Sequence, residues 1–171
     1  CILNPEPLIK GKITNLCTDG KTNLYFAVDR EKVIHYDLVT KRTSVIREYD
    51  VVNRLFLRQG YLWICRLWND IVCYDLKSHK ERVVSLKGGD QPDFSNSYVT
   101  DMVMKEKQTF YLTTWDGLYK LHFENLNLCE SPFTLTLLTQ GERAFHSRIE
   151  NKMTSLLWDN RQQILWVGTF G

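Results

Sequence analysis

The chain has 171 residues, 43% hydrophobic and 25% charged, which is long enough for one domain with a core and far from the composition of a disordered segment. Its 22 Lys and Arg against 20 Asp and Glu leave a net charge of +2 with the signs interspersed, which excludes the basic stripe of a nucleic-acid-binding protein. No apolar run reaches membrane-spanning length, and the opening Cys1-Ile2-Leu3-Asn4-Pro5-Glu6-Pro7 lacks the basic start and apolar segment of a signal peptide.

Taken in order, short β-branched and aromatic runs bounded by polar turns predict strands throughout. The first group lies at 13–17, 24–28, 32–38 and 43–47. The second lies at 52–57, 62–65, 70–76 and 81–86, and the third at 99–104, 110–114, 117–123 and 134–138. A fourth group begins at 153–158 and continues into Ile164-Leu165-Trp166-Val167-Gly168-Thr169. Each group opens on a related phrase: Ile13-Thr14-Asn15-Leu16, Val52-Asn53-Arg54-Leu55, Val99-Thr100-Asp101-Met102 and Met153-Thr154-Ser155-Leu156. The aromatic of the second strand recurs as Tyr25, Trp63, Tyr111 and Trp166, at intervals of 38, 48 and 55 residues.

Four strands per repeat joined by short turns predict an antiparallel meander. Repetition at this period is the sequence form of propeller blades. The second strands Leu24-Tyr25-Phe26-Ala27-Val28 and Leu62-Trp63-Ile64-Cys65 do not alternate apolar with polar, which implies burial on both faces. The predicted fold is therefore all-β, a partial β-propeller forming one domain over 1–171. Its blades fall at 13–47, 52–86, 99–138 and 153–171, the last truncated, so the chain is expected to be an excerpt of a longer protein. The recurring aromatics are expected in the core, and Asp37 and Asp75 at turns.

Five cysteines leave at least one unpaired. Cys17, Cys65 and Cys73 read as buried thiols, and a disulfide between Cys65 and Cys73, which flank a hairpin, stays open. Cys1 is read as an arbitrary cut point, with a lipid-modified N-terminus as the alternative. No Cys or His spacing suggests zinc, and no cofactor is expected. The chain has no Gly-x-Ser-x-Gly, no His-Glu-x-x-His and no phosphate loop, and its four histidines lie far apart.

The phrase Met153-Thr154-Ser155-Leu156-Leu157-Trp158-Asp159 with Ile164-Leu165-Trp166-Val167-Gly168-Thr169 resembles the two-component regulator propeller repeat. In the first repeat the family's Gly-Thr pair is read at Val28-Asp29, in the second at Arg66-Leu67 and in the third at Thr113-Thr114. Trp115-Asp116-Gly117-Leu118-Tyr119 restores the family's Gly-Leu-Tyr. The resemblance implies a periplasmic sensor portion of a Bacteroides-type hybrid two-component histidine kinase anchored in the inner membrane. It further implies oligosaccharide ligands, no catalysis in this portion, and partners in the remaining blades and the kinase of the parent chain.

On that reading, the second-to-third strand turns and the connections between repeats gather on one face, where loops held by a rigid scaffold carry function. A sugar site wants flat aromatics for C–H faces and oriented polar groups for hydroxyls. The candidate ligand-binding residues are Arg66, Trp68, Asn69 and Asp70, then Trp115 with Asp116; Tyr98, Phe145 and His146, in the long connections, are weaker candidates. Their structural alternative is packing for Trp68 and Trp115 and turn formation for Asp70 and Asp116. The alternative functions are a protein-interaction scaffold, with an apolar patch and arginines, or a propeller-fold glycan-active enzyme. Open blade edges make self-association, as a homodimer or by swapped closure, an expectation for the isolated chain.

Overall fold

A computed structural model describes residues 11–67, 70–86, 98–115, 117–139 and 152–170. Sheet 1 contains β1 (Ile13–Thr18), β2 (Asn23–Val28), β3 (Lys32–Asp37) and β4 (Thr43–Glu48). Sheet 2 contains β5 (Val52–Arg58), β6 (Tyr61–Arg66), β7 (Asp70–Asp75) and β8 (Glu81–Ser85). Sheet 3 contains β9 (Val99–Glu106), β10 (Thr109–Thr114), β11 (Gly117–Phe123) and β12 (Phe133–Leu137). Sheet 4 is the pair β13 (Met153–Asp159) and β14 (Ile164–Thr169). Every sheet is an antiparallel meander in chain order, and no helix occurs among the described residues. The all-β, four-stranded-sheet architecture expected from the sequence is the one observed.

The first strands stand side by side, β5 between β1 and β9 and β9 between β5 and β13, while the sheets stack face to face. Sheet 1 gives Tyr25, Ala27 and Val33 to a cluster with Leu55, Leu62, Ile64, Val72 and Tyr74 of sheet 2. The opposite face of sheet 2 presents Trp63, Cys65, Ile71 and Cys73 to Met102, Phe110, Leu112 and Leu121 of sheet 3. Trp63 is fully buried, its ring centroid 4.8 Å from Phe110 and 6.0 Å from Phe123. Successive β6 residues thus enter different cores, Ile64 one way and Trp63 the other, which is why the strand cannot alternate with polar residues. A fully buried aromatic or branched side chain of this kind contributes about 1.5–3 kcal/mol.

One irregularity recurs in all four sheets. Pairing between the first and second strands skips Thr14, Asn53, Thr100 and Thr154, each the second residue of the repeat's opening phrase; sheet 3 skips Lys105 as well. Such a β-bulge bends the strand and re-aims side chains. Thr14 and Thr154 donate to carbonyls of their own second strands, Ala27 and Gly168, each at 3.3 Å, and the other two reach across a seam. The Asn53 amide donates to the Val99 carbonyl at 3.0 Å, and the Thr100 hydroxyl donates to the Met153 carbonyl at 2.8 Å.

The third residue of the phrase supplies the reciprocal acceptor. Asn15 Oδ1 receives the Leu55 N–H at 2.9 Å, and Asp101 Oδ2 receives the Leu156 N–H at 2.7 Å. In sheet 2 this position is Arg54, which cannot accept. The corresponding Met102 N–H turns instead to its neighbour Asp101 Oδ1 at 2.8 Å, so this one carboxylate holds two backbone donors.

The register corrects three expectations. Ala27, Cys65, Thr113 and Gly168 pair with Asn15, Arg54, Asp101 and Ser155, so the Gly-Thr pair corresponds to Ala27-Val28 and Cys65-Arg66, one residue earlier than read in the first two repeats. The slot does not demand glycine, since Ala27, Cys65 and Thr113 hold it in the first three sheets; only at Gly168 would an added Cβ meet Ser155 Oγ, at 2.2 Å. Cys65 pairs with Ile71 and Cys73 with Trp63, so the two cysteines are not opposed, and both are free thiols. The recurring aromatics are not uniformly core. Tyr25 and Trp63 are buried and Tyr111 is half-buried, but Trp166 is 55% exposed, beside its exposed cross-strand partner Leu157. Trp166 lies on the face of sheet 4 directed away from sheet 3, where no described sheet packs against it.

The Asp residues that open turns act through one carboxylate oxygen. Asp37 Oδ1 accepts the Val39 and Thr40 N–H groups, and Asp75 Oδ1 those of Lys77 and Ser78. Asp19 Oδ1 accepts from Lys21, Thr22 and Asn23, and its Oδ2 from the Asn23 amide. These bonds, that of the Asn23 side chain foremost, hold its pKa down to about 2.

Asp101→Ala strips two backbone donors of their acceptor and is expected to cost about 2–4 kcal/mol, against about 1–2 for Asn15→Ala, which strips one; urea unfolding checks the order. Asp19→Ala tests the turn. A carboxyl with a depressed folded-state pKa stabilises above its unfolded value and loses that contribution as pH falls. The Tm difference from the parent is therefore expected near neutral pH, shrinking from about pH 4 to nothing as pH falls through about 2.

Candidate functional site

The four bulges converge. Thr14, Asn53, Thr100 and Thr154 all line one cavity of about 370 Å³ at the starting ends of the first strands, together with Asn15, Arg54, Arg30, Tyr98 and Trp115. Backbone geometry that serves the seams also brings hydroxyl and amide groups from four sheets to a common mouth. Thr100 is buried, its one hydroxyl proton directed to Met153 O at 2.8 Å and its oxygen 2.9 Å from the Thr113 hydroxyl.

Two of the expected residues meet here. Tyr98 precedes β9 and Trp115 follows β10, and their rings lie 5.2 Å apart at 46°. Trp115 is 42% exposed, and Lys152 Nζ stands 5.6 Å from its ring centroid. The pair presents aromatic surface beside neutral hydrogen-bonding groups, a chemistry suited to a ligand with C–H faces and hydroxyls.

Arg30 reaches the same mouth from the β2–β3 turn. That turn is closed by the Glu31 N–H donating to the Val28 carbonyl at 3.0 Å, with φ of +51° at Asp29 and +64° at Arg30. Three residues, 29–31, link the paired Val28 and Lys32, and the two central residues of the turn, Asp29 and Arg30, are left-handed, a conformation that favours Asn and Gly. Asp29 is fixed by accepting the Lys12 N–H at 2.7 Å.

Arg66 and Asp70 are placed elsewhere. They face each other at 2.7 Å across the β6–β7 turn, each about a quarter exposed. Arg66 lines a separate cleft of about 560 Å³ toward the rim of sheets 1 and 2, with Glu31, Glu48, Asp50 and Glu81. Within it Arg47 pairs with Glu81 at 2.6 Å, and the Tyr49 hydroxyl donates to Glu81 at 3.1 Å. Burial first, then the Glu81 charge, pushes the Tyr49 hydroxyl far above the ordinary tyrosine range. Arg66 Nε is buried without a hydrogen-bond partner among the described residues. Trp68, Asn69, Asp116, Phe145 and His146 lie outside the described residues.

The histidines serve their own sheets: His35 bonds Asn23, His122 bonds Thr109 and His79 bonds Tyr74, at 2.7–2.9 Å. Among the described residues no three His, Cys, Asp or Glu side chains group as metal ligands. Burial raises the Cys17 thiol to about 12 and the Cys65 and Cys73 thiols further, so these are packed, protonated groups.

Sequence reasoning placed the 29–32 turn on this face but singled out neither Arg30 nor Arg54, nor the ring of bulge residues. The available signal was the column Thr14, Asn53, Thr100, Thr154, polar and short in every repeat.

No protein-family model and no curated protein sequence matches the chain. Solved structures do. The extracellular domain of BT4673 from B. thetaiotaomicron is 22% identical with a TM-score of 0.65, over 94% of this chain and 20% of that one; it is assigned in one structure to a one component system and in another to a hybrid two component system. The extracellular domain of BT3049, assigned to a hybrid two component system of the same organism, is 15% identical with a TM-score of 0.60, over 99% of this chain and 21% of that one. The β-propeller domain of Cps50 (Swd1) from Myceliophteria thermophila is 16% identical with a TM-score of 0.61, over 94% and 51%. At these identities the likeness establishes the fold, that of a β-propeller. The chain spans about a fifth of the length of the two extracellular domains.

The Arg66–Asp70 pair is expected to be structural. Asp70→Ala should lower stability by about 1 kcal/mol, read as a shift in urea midpoint, by leaving a partly buried guanidinium without its carboxylate.

Proposed function

We propose that this chain is a non-catalytic sensor portion of an extracytoplasmic receptor, which recognises an oligosaccharide at the mouth of its first strands. The carrying observation is the Tyr98–Trp115 pair beside Asn15, Asn53, Thr14, Thr100 and Thr154. Aromatic faces and neutral hydrogen-bonding groups meet there, and no carboxylate lines the cavity among the described residues. The repeat phrase at 153–169 and the shared fold with the two extracellular domains support the receptor assignment.

On this reading the chain is one domain with blades at 13–47, 52–86, 99–138 and 153–171, in a parent that carries further blades, a membrane anchor and a histidine kinase. It works in the periplasm. Ligand bridging several blades favours one arrangement of the ectodomain, by as much as its affinity differs between the two states.

One observation favours a second reading, a protein-interaction scaffold. Leu157, Trp166 and Phe170 are 63%, 55% and 70% exposed on sheet 4 and its end, an apolar surface of the kind that covers a partner sheet, or a second copy in a homodimer.

Titration calorimetry with a panel of plant and host oligosaccharides tests the first reading. At least one is expected to bind, and Trp115→Ala to weaken it about tenfold or more, since stacking area and ring contact are lost together. Binding that Trp115→Ala and Tyr98→Ala leave intact would place the ligand elsewhere and overturn this site.

A further inference from the structure

We infer that the mouth selects an acidic oligosaccharide, one bearing a carboxylate or a sulfate group, through Arg30 and Arg54; this rests on the glycan reading above and names its ligand class.

Both arginines occupy positions where the scaffold favours another residue. At the third position of the opening phrase, Asn15 and Asp101 accept a backbone N–H from the next sheet. Arg54 holds that position in sheet 2 and forfeits the bond, leaving the Met102 N–H to be served by Asp101. At the β2–β3 turn, φ of +64° favours glycine, and Arg30 holds it as Asp29, Lys41, Val51, Gln59, His79 and Gln163 hold left-handed φ elsewhere in the chain. What the two side chains have in common is the cavity they line.

The electrostatics agree. Neither Arg30 nor Arg54 forms an ion pair among the described residues, whereas Arg47 and Arg66 are paired with Glu81 and Asp70 in the neighbouring cleft. That cleft is lined by four carboxylates, Glu31, Glu48, Asp50 and Glu81, and the mouth by none among the described residues. Lys152 over Trp115 adds a third positive charge at its edge. Planar guanidinium forks match the geometry of carboxylate and sulfate oxygens, and charge-assisted bonds of this type are stronger than neutral ones. A neutral sugar would leave two cations without compensation; an acidic one completes them while its ring faces the Tyr98–Trp115 pair.

The test is calorimetric titration of the chain with three probes: an oligogalacturonate for the carboxylate, a heparin-derived oligosaccharide for the sulfate, and a neutral xylo-oligosaccharide. At least one acidic probe is expected to bind tenfold or more tighter than the neutral one, with a preference that falls as salt is raised. R54N restores a seam acceptor, so it should keep or raise the Tm while abolishing the preference. R30G relaxes the turn and should reduce the preference likewise. R161Q, which removes a charge from the β13–β14 turn at the opposite end of sheet 4, should leave it unchanged. Equal affinities for acidic and neutral probes, or a preference that survives both R54N and R30G, would overturn the inference while the glycan reading stands. Binding of none of the three probes would sink both.

Discussion

The seam between successive first strands is the constraint on which the rest of this molecule depends. Face-to-face burial of Trp63, Phe110 and Ile64 drives the sheets together, but apolar packing is non-directional and would tolerate sliding. The bulge fixes the register. Each first strand carries one inserted residue at Thr14, Asn53, Thr100 or Thr154, and in Asn53 and Thr100 the polar side chain meets the backbone of the next sheet. Asn15 and Asp101 answer in the opposite sense. Adjoining sheets are pinned by directional bonds at the narrow end, where first strands meet, and by apolar area at the wide end.

The same devices position the candidate site. All four bulge residues line the mouth, whether they bond across a seam, as Asn53 and Thr100 do, or to their own second strand, as Thr14 and Thr154 do. Tyr98 and Trp115 flank it because one leads into β9 and the other leaves β10, at the same end of sheet 3. Arg66 and Asp70 begin at that end too. They sit farther out, at the junction of β6 and β7, and spend their charges on one another.

Much of the fold was legible because its physics is local and repeated. Uninterrupted apolar runs at 24–28 and 62–65 announced strands buried on two faces, and Asp37 and Asp75 announced turns, since an Asx carboxylate bonds N–H groups two and three residues on. The Gly-Thr slot was misplaced in two repeats because the sequence motif is written in glycine while the structure accepts Ala27, Cys65 and Thr113 at the same place. The exposure of Trp166 was illegible from its equivalence to Trp63: periodicity reports a strand position, not what packs upon it. In the site, Trp115 and Tyr98 stood out as aromatics near turns. Arg54 did not, because the bond it forfeits lies across a seam to Met102, and only pairing over that distance in sequence shows that anything is missing.

Arg30, Arg54 and Trp115 belong to sheets 1, 2 and 3. Any molecule that touches all three spans two seams, so the distances it samples are set by how far each sheet is rotated about the axis from its neighbour. The cavity is in that sense a caliper. Its grip depends on angles defined far out along the sheets, and a rigid occupant, by clamping the narrow end, would limit the splay of the rims, where small rotations become large displacements.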